Sequence, residues 1–136
     1  MTRRPKILMV EDDTPVAMMA VYWLTRSGCD VSAAYTAEKG MELASGKKFD
    51  LIVLNTDLPI NGFEICREFK QRHISRKTPV VFVSAQFCEQ DVQRGLELGA
   101  VDYITKPFDV SDFVRRILLH AQKQNGPTGI IQNAMT

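Results

Sequence analysis

An α/β fold, a parallel sheet with helices on both faces, is what this sequence predicts. Three observations predict it. Short apolar runs of strand length alternate with longer amphipathic segments, five times over. The runs at 7–10, 51–54 and 80–84 are almost continuously apolar, as strands buried on both faces require. The chain of 136 residues suits one domain with one sizeable core.

The expected elements follow in order. Residues 7–10 form the first strand, and residues 14–27 a helix with Val16, Ala20, Trp23 and Leu24 on one face. Residues 31–34 form the second strand. Residues 36–46 form a helix, with Thr36 as its cap and Ala37, Met41, Leu43 and Ala44 inward. The third strand, 51–54, precedes a helix over 62–73 that offers Ile65, Cys66 and Phe69. The fourth strand, 80–84, precedes a helix over 88–98 with Val92, Leu96 and Leu98 inward. The fifth, 101–104, precedes a helix over 109–123 that offers Phe113, Ile117, Leu118 and Ala121. Gly126, Pro127 and Gly129 then break the pattern. Residues 1–123 are expected to be the domain, and 124–136 a flexible tail or truncated linker.

Composition narrows the function classes. Lysine and arginine number 17 and aspartate and glutamate 16, for a net charge of +1. No global field points to nucleic acid or a membrane surface. The longest apolar stretch, 16–24, is far short of a membrane span, and the N-terminus meets acids too early for a signal peptide. The three cysteines, Cys29, Cys66 and Cys88, are widely spaced, which suits free thiols in a reducing cytoplasm. His73 and His120 lie far apart and near no cysteine, which argues against zinc.

Open parallel sheets bind ligands beyond the carboxyl ends of their strands. The residues there are Glu11, Asp12 and Asp13 after the first strand and Asn55, Thr56 and Asp57 after the third. Ser84 and Ala85 close the fourth strand, and Thr105, Lys106 and Pro107 follow the fifth. Carboxylates, an amide, a hydroxyl and a lysine on one rim suit a hard cation and a phosphoryl group. Mg²⁺ takes oxygen ligands and needs only one or two carboxylates. Lysine is a point charge for phosphate, and serine donates to a phosphate oxygen. No glycine-rich phosphate loop is present. Singly, each feature reads more readily as a turn, a cap or a loop; their convergence on one edge carries the argument.

The stretches "KILMVEDD", "DLIVLNTDLPINGFE", "TPVVFVSA" and "GLELGAVDYITKPF" resemble the receiver domain of two-component response regulators, over residues 5–123. The resemblance implies a flavodoxin-like, doubly wound, five-stranded parallel sheet of order 2-1-3-4-5. It implies a signalling module in a bacterial-type phosphorelay, not an enzyme, located in the cytoplasm. By resemblance, Glu11 and Asp12 would hold Mg²⁺, with the Asp57 backbone carbonyl as a further ligand. Ser84 and Lys106 would contact the phosphoryl group, Tyr103 would be the aromatic switch residue, and Asp13 would open the first helix.

The sequence departs from the family at one decisive place. The phosphoacceptor aspartate of the family lies four residues before the block's proline, and counting back from Pro59 gives Asn55. A carboxylate can attack phosphorus to form an acyl phosphate; an amide has no such nucleophile. Asn55 could still offer its oxygen to a cation, with one less negative charge. Mg²⁺ is therefore expected to bind weakly or not at all, with less carboxylate repulsion in its absence. Asp57 lies past the strand and is expected as a solvent-facing loop acid, not a substitute acceptor. Two origins stay open: a natural degenerate receiver, or an Asp→Asn replacement that holds the unphosphorylated state.

The resemblance also implies partners: a sensor histidine kinase or a downstream output protein. Arg94, Asp102, Asp112 and Arg116 resemble part of a charged pattern that makes a homodimer through the fourth helix, fifth strand and fifth helix, with Val101 replacing one acid. The basic stretch 70–77 lacks an aromatic set for stacking bases, so it is expected as a solvated helix end and loop. The rival class is a constitutive protein-interaction module with no Mg²⁺ or phosphoryl ligand. An aspartyl phosphatase fits less well, since Asn55 stands where its nucleophile would be.

Overall fold

A computed structural model describes residues 3–86 and 88–122. The expected tail, 124–136, lies outside the described residues, as does residue 123. Strands β1 (Lys6–Val10), β2 (Asp30–Ala34), β3 (Leu51–Asn55), β4 (Val80–Ser84) and β5 (Ala100–Thr105) alternate with helices α1 (Thr14–Arg26), α2 (Ala37–Gly46), α3 (Gly62–Gln71), α4 (Glu89–Glu97) and α5 (Val110–Gln122). All strand pairings are parallel, in the order β2-β1-β3-β4-β5. This is the flavodoxin-like sheet that the resemblance implies.

The continuously apolar strands are the central ones, β1, β3 and β4. Alternate residues feed two cores. On one face Leu8, Val10, Ile52, Leu54 and Phe82 pack with Ala37, Ala44, Phe63, Cys66 and Phe69 of α2 and α3. On the other, Ile7, Met9, Leu51, Val53, Val81 and Val83 pack with Ala20 and Leu24 of α1 and Phe113, Ile117 and Ala121 of α5. Phe69, Phe82 and Phe113 are fully buried, and each contributes about 1.5–3 kcal/mol through removal of apolar surface from water.

Local chemistry sets the helix ends. The Asp13 carboxylate caps α1 by accepting the Val16 N–H, and the Thr36 hydroxyl caps α2 by accepting that of Lys39. Asn61 caps α3 through the Phe63 N–H. Gly28 and Gly99, with φ of 97° and 96°, turn the chain from α1 into β2 and from α4 into β5.

Four inward assignments are corrected. Trp23 is 43% exposed and Leu96 46% exposed, while Val16 and Val92 are only half-buried. The buried stripe of α1 is Ala17, Ala20 and Leu24, small enough to bring the helix close to the sheet. Trp23 falls beside that stripe and packs edge-on against Tyr22. In α4 only Gly95 is buried, so the contact comes from its backbone and leaves Leu96 off the line.

The 70–77 stretch is exposed as expected, except at half-buried Lys70 and buried Ser75. Lys70 Nζ donates to the Thr78 carbonyl at 2.7 Å, and burial lowers its pKa. Among the described residues, no helix is long and apolar enough to cross a membrane.

Candidate functional site

Strand register assembles the rim. Val10 lies beside Leu54, so Glu11 and Asn55 emerge together. Asn55 lies beside Val83, and Ser84 beside Thr105, which precedes Lys106. The Lys106 N–H donates to the Ser84 carbonyl at 2.7 Å, and the Lys106–Pro107 peptide is cis. Glu11, Asn55 and Ser84 are buried, whereas Asp12 and Asp57 are exposed.

The first half of the site is built around an acid pair. Asn55 Nδ2 donates to Glu11 Oε2 at 2.7 Å and to Asp12 Oδ1 at 3.1 Å. Asn55 Oδ1 accepts the Asp57 N–H at 2.9 Å. These partners fix the amide's orientation, because a flip would set a donor against the Asp57 N–H and acceptors against both carboxylates. The amide therefore turns its nitrogen, not its oxygen, toward the acids. Lys106 Nζ forms an ion pair with Glu11 Oε1 at 2.7 Å, and the Asp13 N–H donates to Glu11 Oε2. Burial still pushes the Glu11 carboxyl above its ordinary range, against the pull of Lys106 and the Asp13 N–H.

The second half lies across β4. Ala85 N–H donates to Asp57 Oδ2 at 2.8 Å, and Ser84 Oγ donates to Asp57 Oδ1 at 3.2 Å. Ser84 Oγ in turn accepts the Gln86 N–H at 3.0 Å. The Tyr103 hydroxyl donates to the Gln86 carbonyl at 3.3 Å, and its ring packs near Phe82. Asp57, expected as a loop acid facing solvent, is exposed but engaged through its side chain. The Ala85 and Gln86 backbone groups carried no sequence signal, because every residue has them.

The site thus brings Glu11, Asp12, Asn55 and Lys106 into one cluster and Asp57, Ser84 and Tyr103 into another, joined by the Asp57 N–H to Asn55 Oδ1. Two carboxylates are enough for Mg²⁺ in principle, yet here the Asn55 amide already donates to both. Among the described residues, no group of three or more His, Cys, Asp or Glu side chains could hold a metal ion.

The charges proposed for a dimer face are engaged within the chain. Arg116 Nε donates to Asp102 Oδ2 at 2.9 Å, and His120 Nε2 lies 3.0 Å from the same oxygen. Asp112 pairs with Arg115 and Arg116, and Arg94 with Glu64. Burial alone would raise the Asp102 carboxyl. Hydrogen bonds from His120, Arg116 and the Tyr103 N–H instead hold it well below the ordinary range.

Residues 7–118 match the family model described as the response regulator receiver domain. The chain is 38% identical over 120 residues to the response regulator ArlR of Staphylococcus saprophyticus, covering 88% of this chain and 53% of that protein. It is 36% identical over 132 residues to ArlR of Staphylococcus aureus, covering 96% of this chain and 59% of that one. The chain therefore spans little more than half the length of these relatives. Among solved structures, the non-phosphorylated HemR receiver domain of Leptospira biflexa is 33% identical with a TM-score of 0.80, covering 87% of this chain and 94% of that one.

Proposed function

This chain belongs to the response regulator receiver domain family of two-component signalling, and from that membership we propose a receiver whose phosphoryl chemistry is blocked at Asn55. The observation that carries the reading is the buried Asn55 amide at the end of β3, hydrogen-bonded to both Glu11 and Asp12. An acyl phosphate needs a carboxylate oxygen there, and the amide supplies none.

In this reading Glu11 and Asp12 would hold Mg²⁺, with the Asp57 carbonyl and the Asn55 side chain beside them. When bound, the ion would neutralise the acid pair. Binding is weak, because it must displace two hydrogen bonds from Asn55 and lacks a third carboxylate. Ser84, Lys106 and Tyr103 form the switch side, and a shift in the 84–86 turn would reposition Tyr103. The partner is a sensor histidine kinase or an output protein, with contact through α4, β5 and α5, where Leu96 and Val101 are exposed. A homodimer on that face would exchange the pairs that Asp102, Asp112 and Arg116 make within one chain.

The test is intact-mass measurement after incubation with a small phosphodonor and Mg²⁺, with Asn55→Asp as the comparison. No mass gain is expected for the unsubstituted chain, and one phosphoryl group for the variant. A gain on the unsubstituted chain, mapped to this pocket, overturns the reading. The second reading, an interaction module with no ligand, draws support from how fully these side chains satisfy one another. It requires that Mg²⁺ leave the amide NMR spectrum around residues 11, 12 and 55 unchanged.

A further inference from the structure

Asp57 and Ala85 are far apart in sequence, so their hydrogen bond is not a local turn; it ties the loop after β3 to the loop after β4. Three donors meet the Asp57 carboxylate. The Ala85 N–H reaches Oδ2 at 2.8 Å, while Ser84 Oγ and Thr56 Oγ1 reach Oδ1 at 3.2 and 3.3 Å. A hydroxyl and the next backbone N–H, each directed at a different oxygen of one anionic group, form an anion cradle. Ser84 Oγ has a single proton and already accepts from the Gln86 N–H, which leaves that proton free for Asp57. The Tyr103 hydroxyl donates to Gln86, so the chain of contacts runs from Asp57 through 84–86 to Tyr103.

From this geometry we infer that Asp57 is a built-in anion for the Ser84–Ala85 cradle, holding the 84–86 turn and Tyr103 in a filled arrangement without any phosphoryl group. The inference rests on the proposed reading only in taking this rim as the signalling site. The two halves of the rim are then both served from within the chain. Asn55 and Lys106 satisfy the acids, and Asp57 satisfies the donors. An outside oxyanion would have to displace a carboxylate that is tethered at high effective concentration.

The test uses amide NMR on the full chain and on Asp57→Ala, Asp57→Asn and Ser84→Ala. Removing a charge-assisted hydrogen bond should speed Ala85 amide exchange by roughly tenfold in Asp57→Ala, with a smaller effect in Asp57→Asn. Tyr103 ring signals should move in the same variants. Titration with inorganic phosphate should shift the Ser84 and Ala85 amides in Asp57→Ala and leave them still in the unsubstituted chain. Unchanged Ala85 exchange in Asp57→Ala, or equal phosphate shifts in both proteins, overturns the inference. Should Asp57→Ala lose the β1 and β3 signals of the folded sheet, Asp57→Asn and Ser84→Ala decide by the same Ala85 readout. Phosphoryl uptake by the unsubstituted chain would sink the blocked-site reading, and these exchange rates would still decide the role of Asp57.

Discussion

Asn55 Nδ2 lies 2.7 Å from Glu11 Oε2, and this hydrogen bond places a neutral donor between the two acids of the rim. The same nitrogen serves Asp12. An aspartate at this position would replace both donations with like-charge repulsion.

Asn55→Asp is therefore expected to lower stability by about 1–3 kcal/mol without divalent cations. Added Mg²⁺ should recover part of the loss in the variant and change the unsubstituted chain little. Urea unfolding with and without MgCl₂ measures both. A variant more stable than the unsubstituted chain in chelator would contradict the geometry.

The Glu11–Lys106 ion pair makes a prediction with a definite sign. Glu11 has a folded pKa raised above its ordinary 4.5. Its contribution to stability is thus fully present below 4.5 and is lost as pH rises through the folded value. Lys106→Met removes an influence that lowers this pKa, so Glu11 should titrate at still higher pH. Carboxyl carbon-13 NMR follows the titration directly; an unmoved or lowered midpoint would refute the coupling.

Asp102 behaves in the opposite sense. Its folded pKa is depressed from 3.8, so its contribution is present above that value and lost as pH falls toward the folded value. Arg116→Met should cost about 1–3 kcal/mol at neutral pH, since a partly buried carboxylate loses its main cation. The variant should also show a flatter loss of stability below pH 3.8. Parallel acid limbs in the two proteins would count against this account.

Gly62→Ala probes the loop that carries the site. A Cβ there would sit 2.6 Å from Thr56 Cα and 3.1 Å from the Asn55 carbonyl oxygen. Backbone has to move to admit it, at about 1–3 kcal/mol. Because the strained atoms belong to residues 55 and 56, the amide shifts should concentrate there and at Asp57. Thermal unfolding and NMR together check this, and an unperturbed Asn55 would refute the close packing.

Much of this was legible beforehand for physical reasons. Buried parallel strands must be apolar throughout, so 7–10, 51–54 and 80–84 stood out, and all five strands and helices lie within a few residues of expectation. Thr36 was legible as a cap because hydroxyls favour that position. Trp23 and Leu96 were not, because periodicity gives a face but not its width. The small side chains of Ala17 and Ala20 and the bare backbone of Gly95 set how closely those helices approach, and that excludes the larger residues beside them.

The sequence by itself determined the alternating fold, the strand ends on which function gathers, and the amide at position 55. Those properties follow from residue type and spacing along the chain. Only the tertiary structure decided which way the Asn55 amide faces and what the Asp57 carboxylate meets. Both depend on groups remote in sequence: the Glu11 and Asp12 carboxylates that accept from Asn55, and the Ser84 hydroxyl and Ala85 N–H that donate to Asp57. A side chain that looked like a solvated loop acid is, in three dimensions, the anion that its neighbours' donors converge on.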